Sequence, residues 1–141
     1  MNEADALARR VADAMLEREG TGPAWGITID DAREGYAMIR MTLRDDMLNG
    51  HRIAHGGMIF ALADTAFAYA CNSRNESSVA QNATISFLTP AAAGDVLIAE
   101  ARETARSGRS GVYQVSVKTR EGAVIAELTG LSRTIGGPVI N

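Results

Sequence analysis

The stretch Asn49–Cys71, NGHRIAHGGMIFALADTAFAYAC, decides how this chain folds. It runs a polar loop into Gly56 and Gly57 and then into MIFALADTAFAYAC, an almost wholly apolar segment too short to span a membrane. Such a segment predicts a helix buried in a protein core. Leu, Ala, Met and Phe enter that core freely, whereas an ionised Asp64 loses its hydration there and must be hydrogen-bonded, paired or used. A satisfied structural acid is the competing reading. The polar loop upstream, with Asn49 and His55, favours a functional one.

On either side of this segment the pattern changes period. Upstream, Leu7, Val11 and Met15 recur at helical spacing and predict a peripheral N-terminal helix within residues 1–22, stopped by Gly20 and Gly22-Pro23. Trp25, Ile27 and Ile29 then alternate. After a turn at Glu34-Gly35, Ile39, Met41 and Leu43 alternate with Arg40, Thr42 and Arg44, which predicts two antiparallel strands. Downstream of a central helix placed at 56–74, Ala83, Ile85 and Phe87 alternate with Asn82, Thr84 and Ser86, and Pro90 closes the run. Three more strands follow, around Val96 and Ile98, around Tyr113, Val115 and Val117, and around Val124, Ala126 and Leu128. The order helix, two strands, buried helix, four strands describes an α+β architecture, a curved antiparallel sheet wrapped round one central helix.

Composition narrows the function. With 141 residues, 46% hydrophobic and 22% charged, residues 1–141 suit one domain with a core of useful size. A net charge of −3 supplies no broad basic field, which disfavours nucleic acid as a partner. The lone Cys71 excludes an intramolecular disulfide framework and suits a reducing compartment. The opening MNEADALARRVADAMLERE lacks the uninterrupted apolar core of a signal peptide, so a cytoplasmic protein without a membrane partner is expected.

The candidate chemistry gathers at the helix start. Gly56 and Gly57 permit close backbone approach, and the first N–H groups of a helix lack intrahelical partners, so they offer hydrogen-bond donors and partial positive charge to a carbonyl or oxyanion. Asp64 follows Gly56 by eight residues, about 12 Å along an α-helix, too far for both to reach one carbonyl. If both act on one bond, the acid must come from a second copy packed antiparallel, and the site lies at a two-fold interface. His51 and His55 are spaced i, i+4, which suggests zinc on a helix, but glycines bracket them in a loop and no further His exists. No metal is expected; His55 is placed to brace the loop or a substrate carbonyl, with His51 exposed. Cys71 has no basic neighbour in sequence to activate it and reads as a packed thiol. The run RETARSGR, Arg102 to Arg109, sets three arginines at a strand-turn-strand junction where they can meet phosphates or simply solvate a hairpin end, and Arg133 is in the same position. The six methionines and the aromatics Phe60, Phe67, Tyr69 and Phe87 read as core material, with the lining of an apolar substrate pocket as the alternative for some of them.

The string LNGHRIAHGGMIFALADTAFAYACNS resembles the hotdog-fold acyl-CoA thioesterases, and among them the phenylacetic acid degradation (PaaI) branch. The segments ATISFLTPAAAGD, SGVYQVSV and RTIGG are similar to the same family, so the resemblance covers nearly the whole chain after about Trp25. It implies the hotdog fold, homodimers that join two sheets, tetramers made from two dimers, and hydrolysis of an acyl-CoA thioester without a cofactor beyond the coenzyme A of the substrate. By position it makes Asp64 the catalytic carboxylate and Gly56 the helix-terminal N–H that polarises the thioester carbonyl, with His55 and Asn49 supporting the thioester and the attacking water. Gly57, Arg106, Arg109 and Arg133 are the candidates for substrate binding, the arginines through coenzyme A phosphates. The acyl group it implies is phenylacetyl or hydroxyphenylacetyl in type. Two other readings stay open, a hotdog dehydratase or hydratase of 3-hydroxyacyl thioesters using His55 with Asp64, and a non-catalytic acyl-CoA sensor.

Overall fold

The structure is a computed structural model that describes residues 1–141. Helix α1 spans Glu3–Arg18, a single turn α2 spans Thr21–Ala24, and strands β1 (Thr28–Arg33) and β2 (Tyr36–Thr42) form a hairpin. A 3₁₀ turn at Asp45–Met47 leads through the polar loop into α3, Gly56–Cys71, after which β3 (Ser78–Phe87), β4 (Val96–Ser107), β5 (Ser110–Thr119) and β6 (Val124–Thr134) follow. The six strands make one antiparallel sheet in the order β1-β2-β4-β5-β6-β3. It is the expected α+β arrangement, with α3 as the central helix. No helix is long and apolar enough to cross a membrane.

The helix lies against small residues. Ala37 of β2, Ala99 and Ala101 of β4 and Gly130 of β6 are all buried on the inner face, alternating with outward residues as strand geometry requires. A Cβ built on Gly130 would stand 2.7 Å from Cε2 of Phe67, so the glycine is what lets that ring reach the sheet. Phe67 in turn meets Tyr113 of β5 with ring centroids 5.4 Å apart. Register shifts at Ile29/Asp31, Ala80/Asn82, Glu103/Ala105 and Val117/Lys118 insert bulges, which bend strands and increase their twist.

Five boundaries and burials differ from the sequence reading. The central helix stops at Cys71 rather than 74, because the buried Asn72 closes it: its Nδ2 donates to the Ala68 and Ser78 carbonyls at 2.9 and 3.1 Å, and its Oδ1 accepts from Ser78 N–H at 2.8 Å. Helix α1 ends at Arg18 within the expected 1–22, since Glu19 is extended and Thr21–Ala24 turns separately. Its buried stripe is Ala8, Val11 and Ala12, with Leu7 and Met15 half-buried at the margins. Trp25 caps α2 instead of opening β1. Phe87, read as core, is 53% exposed because β3 is an edge strand with no neighbour on its outer side.

Candidate active site

The start of α3 leaves one donor free. His55 is the N-cap residue, and its backbone carbonyl accepts from Met58 N–H at 2.9 Å and Ile59 N–H at 3.2 Å. Its imidazole Nδ1 accepts from Gly57 N–H at 2.8 Å, which in the neutral ring puts the proton on Nε2. The Gly56 N–H alone has no partner in the chain. Of the two glycines singled out in the sequence, Gly56 therefore carries the available donor, while the N–H of Gly57 is taken by the cap. The positive end of the helix dipole reinforces the free donor.

The loop before the helix is built on Asn49. Its Oδ1 accepts from the N–H groups of His51 at 2.9 Å and Ile53 at 3.4 Å, and its own N–H donates to the Ile53 carbonyl at 2.8 Å. These bonds fix which end of the amide is oxygen and leave Nδ2 without a partner in the chain. The loop is tied down by His55 N–H to Met47 O at 2.9 Å and Ala54 N–H to Ala91 O at 2.8 Å. Asn49 and Gly56 line one open cavity of about 410 Å³, together with Ile53, Ile59, Phe87 and Leu88. The exposed His51 makes no side-chain bond, and His55 is already committed to its cap.

Asp64 belongs to another cavity, of about 520 Å³, lined also by Thr65, Ala68 and Val79. It is half-buried, and burial alone raises its carboxyl above the ordinary aspartate value of 3.8. No arginine or lysine pulls it back. Two turns further along the helix, the Cys71 thiol is pushed up to about 12 by burial and by the Asp64 charge, which keeps it protonated and inert. Asp64 is thus a poorly solvated, unneutralised carboxylate, the state in which an acid is a better base than in water.

The two cavities share no residue. One lies against the C-terminal end of β3, at Phe87 and Leu88; the other lies against its beginning, at Ser77, Ser78 and Val79. Between them runs the unpaired edge of β3, on which Val79 and Phe87 are 47% and 53% exposed. Within one subunit the structure thus brings Asn49 and Gly56 together and keeps Asp64 apart from both. His55 and Asp64, the pair a hydratase would need, are likewise at separate points of the helix.

The arginines do not form one cluster. Arg106 and Arg109 border a small polar hollow with Arg74, Ser78, Ser132 and Thr134, and Arg106 approaches Glu76 at 3.7 Å. Arg133 falls between Ser132 and Thr134 on β6 and so projects from the opposite face of the sheet. It therefore does not border the hollow that Arg106 and Arg109 share. Arg102 pairs with Glu100 at 3.0 Å and lies 4.9 Å over the Tyr36 ring.

Sequence reasoning missed Asn72 and Arg74. Arg74 binds Glu103 through two nitrogens at 2.6 and 3.2 Å, fastening the turn after α3 to β4, and Glu103 also accepts from the Tyr113 hydroxyl at 3.1 Å. Burial pushes Glu103 up, but these bonds and the Arg74 charge together hold it below the usual carboxylate range. The turn-forming run Asn72–Asn75 was the visible signal; the partners forty and twenty-nine residues away were not.

Comparison with known proteins follows the same residues. The model of the thioesterase superfamily matches residues 51–126, a span that contains all of α3. The acyl-coenzyme A thioesterase PaaI of Escherichia coli (strain K12) is 44% identical over 128 residues, 91% of this chain and 91% of that protein. Among solved structures, the E. coli PaaI protein from the phenylacetic acid degradation operon superposes with a TM-score of 0.94 at 42% identity, covering 96% of this chain and 99% of that one. A variant of the phenylacetic acid degradation protein PaaI from Thermus thermophilus gives a TM-score of 0.80 at 33% identity, covering 83% of this chain and 100% of that one.

Proposed function

The chain belongs to the thioesterase superfamily and is a thioester hydrolase of the acyl-CoA thioesterase type, and on that premise we propose that it cleaves an aromatic acyl-CoA, phenylacetyl or hydroxyphenylacetyl in type, to the free acid and coenzyme A. The observation that carries the mechanism is the separation of two complementary half-sites, an unbonded Gly56 N–H at one end of β3 and an unpaired Asp64 at the other. Neither completes a reaction alone. An antiparallel pairing of β3 with the β3 of a second copy, about a two-fold axis near Asn82 and Ala83, lays the Phe87 end of one strand against the Val79 end of the other. That pairing satisfies the open strand edge, covers Phe87, and sets the first half-site of each subunit beside the second half-site of its partner. Two copies therefore give two complete sites, and association of two such dimers gives the tetramer we propose as the assembled form.

In each site the Gly56 N–H and the dipole of α3 hold the thioester carbonyl oxygen and stabilise the negative charge that develops on it. The partner's carboxylate at position 64 supplies the second function. It either removes a proton from a water that attacks the carbonyl carbon, or attacks that carbon itself to form a mixed anhydride that water then opens. In both routes the C–S bond breaks, coenzyme A leaves as thiolate and takes up a proton, and the acyl group departs as the acid. Asn49 holds the loop and offers its free amide nitrogen to the carbonyl or the water, while His55 holds the helix end in place. Arg106 and Arg109 are the proposed contacts to coenzyme A phosphates. The chemistry runs on the chain's own groups, in the cytoplasm.

A thiol-release assay over a panel of acyl-CoAs tests this reading. Phenylacetyl-CoA and its hydroxylated forms are expected to show the highest kcat/KM; a clear preference for straight-chain acyl groups would remove the aromatic assignment, and no thiol release from any member would remove the activity.

A further inference from the structure

The cavity around Asp64 is finished by the two ends of the chain. Its base comes from α3 and β3, with Thr65, Ala68 and Val79, while its outer wall is Met15 of α1 together with Ile135 and Val139 of the C-terminal segment. All three wall residues lie outside residues 51–126, the part shared with the superfamily model. The wall is also tied in place. Arg18 Nη1 donates to the Val139 carbonyl at 2.8 Å, bridging α1 to the tail. Asn75, held at φ +63, accepts the N–H groups of Val139 and Ile140 on its Oδ1, both at 2.9 Å, and donates to the Ile140 carbonyl at 2.9 Å. Ser77 exchanges bonds with Ile135 and Gly137 at 2.8 and 2.9 Å, where Gly136 and Gly137 turn the chain back with φ of +94 and +82. Across the cavity, the Glu19 carboxylate accepts the Tyr69 hydroxyl and locks the end of α1 to α3.

We propose that Met15 and Val139 are specificity-determining residues which set how large an apolar acyl group the Asp64 cavity admits, the C-terminal segment acting as a fixed distal wall latched by Arg18 and Asn75. The inference rests on the thioesterase reading above. A carboxylate that acts at the thioester carbonyl must lie beside it, so one of the two groups on that carbonyl carbon, the acyl group or the thiol arm, occupies the cavity Asp64 opens into, and the apolar part of its lining suits the acyl group. The apolar side chains available to it there are Ala68, Val79, Ile135, Val139 and Met15. Met15 and Val139 are half-buried and project from two different segments bridged by the Arg18 bond, so they form a side of the open cavity rather than its floor. A wall held by this many bonds excludes an oversized group instead of yielding to it, and a hydrophobic pocket discriminates about 10- to 200-fold per methylene that does not fit.

The test measures kcat/KM for straight-chain acyl-CoAs of increasing length and for phenylacetyl-CoA, with the wild type and the variants Met15→Ala, Val139→Ala and Met15→Leu. Each alanine variant is expected to raise the ratio of bulky to small substrates at least about tenfold, while Met15→Leu, which keeps the volume, retains the wild-type order. Circular dichroism confirms that each variant is folded, and the two alanine variants act from different segments, so loss of one fold leaves the other to decide. Folded alanine variants that keep the wild-type order, or that change every substrate by one factor, overturn the proposal while leaving the thioesterase activity standing. A wild type that releases thiol from no acyl-CoA refutes the activity, and this proposal with it.

Discussion

Gly56 and Asp64 sit on one continuous helix, yet they line cavities that have no residue in common and open at opposite ends of the same edge strand. A rigid α-helix keeps them about 12 Å apart whatever the side chains do. That fixed separation divides donor from acid within a subunit and makes a second subunit part of the proposed chemistry.

The acid itself is tested by Asp64→Asn. The amide keeps size and hydrogen bonding but can neither take a proton nor form an anhydride, so the variant is expected to fold, bind acyl-CoA and lose on the order of 10² to 10⁴ in kcat. Binding measured by titration calorimetry and turnover by thiol release check both halves; wild-type turnover would rule Asp64 out.

The same carboxyl sets a pH dependence. Its value in the fold is raised above 3.8 by burial, so the protonated form is favoured by folding: the stabilising contribution is full below the unfolded value and is lost as pH rises through the raised one. Asp64→Asn is therefore expected to melt above the wild type at neutral pH, with the gap closing in acid. Activity runs the other way, rising as Asp64 ionises, with an acid limb above 3.8. Parallel melting curves for the two proteins at every pH would contradict the shift.

At the helix start, His55→Ala removes the acceptor for Gly57 N–H and is expected to destabilise the fold by about 1 kcal/mol, whereas His55→Asn, a good N-cap, retains most of it. Urea unfolding distinguishes the two. A His55→Ala variant as stable as the wild type would show that the imidazole cap contributes nothing.

Where the helix meets the sheet, Gly130→Ala would place a methyl 2.7 Å from the buried Phe67 ring, which has nowhere to go between α3 and Tyr113. Overpacking of this kind is expected to lower stability by about 1 to 3 kcal/mol. A companion change, Phe67→Leu, makes room for the methyl, so the double variant is expected to lose less than the sum of the singles.

Much of this was legible because it is local. The period of two in β2 to β6 and the apolar run of α3 follow from which face each residue presents, and the resemblance carried by LNGHRIAHGGMIFALADTAFAYACNS tied them to one fold. What escaped depends on distant partners. Nothing near Arg133 reveals that strand alternation turns it away from Arg106, and Phe87 looks like core until β3 proves to be an edge; the cap on Gly57 N–H is local, but it depends on which way the His55 ring turns, which residue order alone does not fix. The C-terminal segment behaves similarly, since Val139 faces the cavity of Asp64 through bonds to Arg18 and Asn75 far back in the chain.

The shared site is tested most directly by complementation. Asp64→Asn removes the acid, and Gly56→Pro removes the free N–H; His55 is already extended at ψ 132, as a residue before proline must be, and the nearest atom to the new Cβ is on the Phe87 ring at 3.2 Å. Gly56→Ala, which meets Phe87 but keeps the N–H, is the control. Each homodimer is expected to be nearly inactive. In a mixed dimer one site collects both defects and the other neither, so random exchange of equal amounts should restore roughly a quarter of wild-type thiol release. Mixed dimers that are folded, shown by mass spectrometry to have exchanged subunits, and still as inactive as their parents would contradict a site built from Gly56 of one chain and Asp64 of the other.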